Sequence, residues 1–158
     1  MSKKHPIIAV TGSSGAGTSL AKSAFMYIFR RNGINPAIID GDCFHRYDRS
    51  EMDKLSAEAE KKGGHLTHFG PEGNLFEELE KVFIEYGEKG TGKKRFYIHD
   101  EKEASEHGNP PGALTSWEPL ENNTDLLFYE GLHGGLVTNK INVAKHVDLL
   151  IGVTPIIN

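Results

Sequence analysis

Val10 to Leu20 reads VTGSSGAGTSL. The spacing of a phosphate-binding loop, G-x-x-x-x-G-K-[ST], finds its glycines at Gly12 and Gly17 and its hydroxyl at Ser19. The lysine position holds Thr18. The stretch therefore has the glycines that let backbone N–H groups curl around an anion, without the usual cation. Three readings stand open on these residues alone: a damaged site, a chance glycine cluster, or a variant that draws its positive charge from elsewhere.

The flanks favour a phosphate site. Pro6 to Gly12, PIIAVTG, is a short apolar run ending in glycine and predicts a buried strand. Thr18 to Arg31, TSLAKSAFMYIFRR, predicts a helix with Leu20, Phe25, Ile28 and Phe29 at helical spacing, Arg30 and Arg31 in its last turn, and Gly33 beyond it. A strand, a glycine turn and a helix N-terminus form the context in which such a loop holds phosphate. The nucleotide-binding candidates are Gly12, Ser13, Ser14, Gly15, Ala16, Gly17, Thr18, Ser19 and Leu20, with the Ser19 hydroxyl also a candidate Mg²⁺ ligand.

Working outward, Pro36 to Asp40 predicts a second strand and Ser50 to Lys62 a charged, solvated helix. Gly63 to Gly73 reads as a loop. Asn74 to Gly87 reads as an amphipathic helix with Leu75, Leu79, Val82 and Phe83 on one side. Lys94 to Asp100 reads as a strand and Glu101 to Pro119 as a polar loop. Asp125 to Gly131 and Val147 to Ile157 read as buried strands. This alternation predicts an α/β domain spanning residues 1–158, a mainly parallel sheet with helices on both faces. A sheet of this kind normally follows a core strand with a covering helix. The expectation is therefore a single domain whose C-terminal part is absent.

Composition narrows the function. The 158 residues carry 18 Lys and Arg against 22 Asp and Glu, a net charge of −4, which disfavours a nucleic-acid binder. No apolar run approaches the roughly 20 residues of a membrane span. Cys43 is the single cysteine, so no internal disulfide can form, and a cytoplasmic location is expected.

Three further stretches carry candidate chemistry. Asp40 to Arg49, DGDCFHRYDR, follows the second strand, and strand ends are where open α/β sheets place their sites. Asp42 there can take a proton from an attacking hydroxyl, while His and Arg can hold a second anion. Any one of these residues alone would more simply be a solvated loop charge or a helix cap; the cluster beside a phosphate loop favours chemistry. Leu126 to Gly131, LLFYEG, delivers Glu130 from a buried strand to serve Mg²⁺, and His133 beyond it reads as a turn residue. Tyr97 and His99 alternate within RFYIHD and share one strand face, either lining a polyol site or facing solvent. His65 and His68 read as ordinary loop histidines rather than metal ligands.

Together PIIAVTGSSGAGTS, GDCFHRYDRSEM, THFGPEGNLFEELEKVFIEYGEKGTGK, YIHD, LLFYEGLHGGLV and VDLLIGVTPIIN resemble the bacterial type of phosphoribulokinase, from Lys3 to Asn158. Uridine kinases share the architecture, but their loop normally keeps its lysine. The resemblance implies a P-loop kinase fold and transfer of the ATP γ-phosphoryl to the 1-hydroxyl of D-ribulose 5-phosphate, the Calvin-cycle step that yields ribulose 1,5-bisphosphate. It implies Asp42 as the base, the Gly12 to Leu20 loop on the ATP phosphates, and Ser19 and Glu130 on Mg²⁺. It implies His45, Arg49, Tyr97 and His99 on the sugar phosphate. It also implies activation by NADH, with Arg31 in the regulatory region, and a homo-oligomer when full length. The family is roughly twice this length, and the cations that would replace the loop lysine are expected beyond Asn158. The plant-type cysteine pair is missing: Cys43 stands alone and the loop carries Ala16. A uridine-kinase-like small-molecule kinase and a catalytically inactive nucleotide-binding fragment are the competing readings.

Overall fold

A computed structural model describes residues 4–13 and 15–155. Ser14 and the last two residues of the expected final strand, Ile156 and Ile157, lie outside them. The elements run β1 (Ile7–Gly12), α1 (Thr18–Arg31), β2 (Pro36–Asp40), α2 (Arg49–Lys61), α3 (Phe76–Lys89), β3 (Lys93–Lys94), α4 (Glu101–His107), β4 (Glu118–Pro119), β5 (Leu126–Gly131) and β6 (Leu149–Val153).

Four strands form a parallel sheet in the order β2-β5-β1-β6. Alternation along each strand divides the core in two. Ile7 and Ala9 of β1, Ala37 and Ile39 of β2, and Leu127 and Tyr129 of β5 face α3, which contributes Phe76, Leu79, Val82, Phe83 and Tyr86. Val10 and Phe128 on the other face meet Phe25 and Phe29 of α1, with Phe25 and Phe128 ring centroids 5.2 Å apart. Helices therefore cover both faces, as a buried parallel sheet requires.

The face that α1 buries differs from the expected one. Ala21, Phe25, Met26 and Phe29 pack on the sheet, whereas Leu20 is 77% exposed and Ile28 46%. β6 lies at an edge of the described sheet, with Leu149 and Leu150 also exposed.

The expected strand from Lys94 to Asp100 is mostly absent. Only Lys93–Lys94 pairs, with Glu118–Pro119 in a separate two-stranded sheet, and Tyr97 makes one bridge to Leu114. The segment is held instead by single hydrogen bonds to the 113–115 stretch, such as Ile98 N–H to the Ala113 carbonyl at 2.9 Å. The stretch expected to be a loop contains α4, capped by the Asp100 carboxylate on Glu103 N–H and stopped by Gly108 at φ 70°.

Candidate active site

Parallel pairing brings the C-terminal ends of β1, β2 and β5 together, and a cleft of about 410 Å³ opens there. Gly12, Ser13, Gly15, Thr18 and Ser19 of the glycine turn line it. So do Asp42, His45, His68 and His99, together with Glu130 and His133.

The glycine turn is built for close backbone approach. Gly15 and Gly17 adopt φ values of 79° and 101°, which side-chain-bearing residues rarely accept. Gly12 is packed so tightly that a Cβ there would lie 2.6 Å from the Val153 carbonyl oxygen. The first turn of α1 contains no acidic residue and receives no side-chain cap. Its free N–H groups and dipole are thus left for an anion. Ala16, Gly17 and Leu20 do not line this cleft, and Leu20 points to solvent. Of Ser14 nothing is described.

After β2 the chain turns through a short 3₁₀ segment, Gly41–Phe44, whose start is capped by Asp40 accepting from Asp42 N–H. A Cβ on Gly41 would collide with the Tyr129 hydroxyl, so only glycine lets the turn pass so close to β5. The Arg95 guanidinium braces it from behind, donating to the Cys43 and His45 carbonyls and stacking over Trp117 at 4.5 Å. Asp42 emerges from this turn with Oδ1 3.3 Å from His45 Nε2 and Oδ2 3.5 Å from His99 Nε2. The hydrogen bond from His45 holds the Asp42 carboxyl below its ordinary range, outweighing burial. Burial pushes Asp40 the other way, upward, with Lys22 partly offsetting it. His45 is pulled down by burial but raised more by Asp42 and Asn74, so its net shift is upward.

Tyr97 and His99 do come together, rings 5.1 Å apart, although no regular strand presents them. Only His99 reaches the main cleft; Tyr97 lines the adjoining groove with Lys22 and Phe96. Arg49 stands behind Tyr97, its guanidinium 5.9 Å from the ring, and lines a separate shallow groove beside Pro110 and Pro111. Asp48 caps α2 in a reciprocal pair with Glu51, which makes it a structural acid. His133 is more than a turn residue: its Nε2 lies 3.0 Å from the Phe69 carbonyl, its ring packs edge-on against Phe76, and burial lowers its pKa.

Two residues escaped the sequence reading. Lys22 places its ammonium 3.9 Å from Asp40 and 4.0 Å from Glu130. Asn74 is buried and contacts His45. The signal for Lys22 lay one turn beyond Thr18, on the α1 face that meets the strand ends. For Asn74 no sequence pattern gave a signal.

The sheet order, the glycine cradle at a helix N-terminus and the acids at adjacent strand ends define a P-loop kinase architecture. Residues 7–158 match the family described as Phosphoribulokinase / Uridine kinase family, and the chain belongs to it. It is 58% identical to a phosphoribulokinase of Nitrobacter vulgaris over 159 residues, which is 100% of this chain and 55% of that protein. It is 57% identical to the chromosomal phosphoribulokinase of Cupriavidus necator, covering 100% of this chain and 54% of that protein. The phosphoribulokinase structure from Rhodobacter spheroides superposes with a TM-score of 0.86 at 45% identity, over 98% of this chain and 53% of that one. A possible uridine kinase from Bacillus stearothermophilus shares the fold, with a TM-score of 0.61 at 13% identity, covering 96% and 72%. The chain spans about half the length of the curated relatives it matches.

Proposed function

We propose that the full-length protein is a phosphoribulokinase, transferring the ATP γ-phosphoryl to the 1-hydroxyl of D-ribulose 5-phosphate to give D-ribulose 1,5-bisphosphate. The observation that carries this reading is Asp42, a carboxylate held between two histidines in the same cleft as the glycine loop. The relatives' names supply the acceptor.

In this proposal the loop N–H groups and the α1 dipole orient the ATP phosphates. Asp42 accepts the proton of the 1-hydroxyl as that oxygen bonds to the γ-phosphorus. The bond to the bridging oxygen breaks and ADP leaves. His45 and His99 line the same wall as Asp42 and suit the acceptor's polar groups. Tyr97 and Arg49 lie behind that wall and support it rather than meet the acceptor first.

Ser19 and Glu130 are hard oxygen donors on one cleft, a set that fits Mg²⁺ held mainly by nucleotide phosphates. No group of three or more His, Cys, Asp or Glu among the described residues could hold a metal by itself. Magnesium, when bound, would neutralise charge on the β- and γ-phosphate oxygens. We assign to Lys22 part of the charge that Thr18 does not provide. This revises the expectation that the compensating cations all lie beyond Asn158. Activation by NADH near the exposed Arg31, a homo-oligomeric state, a cytoplasmic location and a single-domain organisation belong to the same proposal and rest on the resemblance. No helix among the described residues is long and apolar enough to cross a membrane.

The test is an acceptor panel with the full-length protein and MgATP. ATP turnover dependent on ribulose 5-phosphate, with ribulose 1,5-bisphosphate formed, is expected. Turnover with a nucleoside alone would replace this reading with a uridine-kinase-like one. The same assay on the 158-residue chain tests whether this stretch is an inactive nucleotide-binding fragment.

A further inference from the structure

Asn74 is 2% exposed and sits just before α3. Its Nδ2 donates to the His68 carbonyl at 2.7 Å and to the Gly70 carbonyl at 2.9 Å. An amide nitrogen has two hydrogens, and both are used. The reversed amide would set its oxygen against two carbonyl oxygens, so the orientation is decided by the network. Oδ1 therefore faces His45, 3.1 Å from Nδ1. An amide oxygen only accepts, so Nδ1 carries the hydrogen. Backbone hydrogen bonds of 2.8 Å, from Arg46 N–H to Gly73 and from Leu75 N–H to Phe44, hold the two segments in place on either side.

The other ring nitrogen, Nε2, lies 3.3 Å from the Asp42 carboxylate. A neutral histidine beside a carboxylate would ordinarily carry its proton on the nitrogen facing that acid. Here the proton is claimed on the opposite side. Neutral His45 then turns a lone pair toward Asp42, and only the imidazolium satisfies both partners.

We propose that Asn74 is a positioning residue that fixes the Nδ1 proton of His45 and thereby keeps His45 a cation beside the base. The groups facing the ring are consistent with this. The Asp42 and Asp40 carboxylates favour the cation. The His68 and Tyr97 rings pack edge-on at 5.4 Å, and the Arg95 guanidinium binds the His45 carbonyl rather than the ring. His133 across the cleft, itself shifted toward the neutral form, and His99 on the far Asp42 oxygen complete the surroundings. The kinetic consequence rests on the proposed phosphotransferase reading: the cation holds Asp42 as a carboxylate and offers charge to an anionic acceptor.

The experiment reads the imidazole directly. In the full-length protein labelled with ¹⁵N-histidine, His45 is assigned with His45→Gln. At a pH high enough to deprotonate it, the neutral ring is expected to keep its hydrogen on Nδ1. Asn74→Ala should move that proton to Nε2 and lower the His45 midpoint by about one pH unit. Asn74→Asp keeps an acceptor but loses both donors to the 68–70 loop. It should retain the Nδ1 proton and titrate at or above the wild-type midpoint. A residue that merely holds the loop would make Asp and Ala behave alike, which overturns the proposal. A wild-type ring protonated on Nε2 overturns it without any variant. Neither readout requires an acceptor, so failure of the ribulose 5-phosphate assay leaves the result interpretable.

Discussion

The Lys22 ammonium lies 4.0 Å from the Glu130 carboxylate and 3.9 Å from that of Asp40. Asp40 and Glu130 are register partners on neighbouring strands, so one cation spans two acids at the end of the sheet. Lys22 stands one helical turn beyond Thr18, where the usual loop lysine is missing. Replacing it with Met should lower turnover of the full-length protein by roughly tenfold to a hundredfold, about 1.4 to 2.8 kcal/mol of barrier. Lys22→Arg should retain most of the rate. Unchanged turnover of Lys22→Met at saturating MgATP would remove Lys22 from the phosphate chemistry.

In the proposed reaction Asp42 acts on the proton rather than on the nucleotide. Asp42→Asn should reduce turnover by roughly 10² to 10⁴ while leaving ATP affinity within a few-fold. Steady-state kinetics alongside equilibrium nucleotide binding check this. Equal losses in both would argue against a base.

The Asp42–His45 pair also makes stability depend on pH. The His45 pKa is raised on folding, so its contribution is fully present below 6.5 and lost as pH rises through the folded value. The Asp42 pKa is lowered, so its contribution is present above 3.8 and lost as pH falls through the folded value. The stability difference between wild type and His45→Gln should therefore be largest between these limits and shrink on the alkaline side as His45 loses its proton. Denaturant midpoints measured across pH would show this; a flat difference would contradict it.

Cys43 neighbours Asp42 in sequence but is buried. Burial pushes its thiol up to about 12, so almost no thiolate exists at neutral pH. Alkylating reagents should label it only as fast as the protein opens, with rates rising together with global unfolding in denaturant. Rapid labelling of the native protein would show that the turn after β2 is looser than its packing indicates.

Much of this architecture was legible from residue pattern because β1, β2 and β5 are apolar runs bounded by glycine or acid. The segment Lys94 to Asp100 misled because its alternation was real but no sheet edge receives it. Its partners are the isolated hydrogen bonds of the 113–115 stretch. α4 was missed because its residues, all polar but Ala104, bury no face; its signals were only the Asp100 cap and Gly108. At the site, Asp42, Glu130 and the glycines follow strand ends and were readable. Lys22 and Asn74 were not, because each meets a site residue far from it in sequence, Asp40 and His45, that only the fold brings near.

β1 is flanked on both sides by β5 and β6, strands far from it in sequence. The amide of Ile7 donates to the Asp148 side chain and its carbonyl accepts from the Asp148 N–H, a span of 141 positions. β1 thus completes its ladder only when segments far from it in sequence have docked. Until then its Ile-Ile-Ala-Val run has no ladder, and the glycine turn after it has nothing to lean on. Such long-range closure folds slowly and leaves apolar chain exposed during synthesis. The glycine turn depends on that same closure, because Gly12 packs against the Val153 carbonyl of β6.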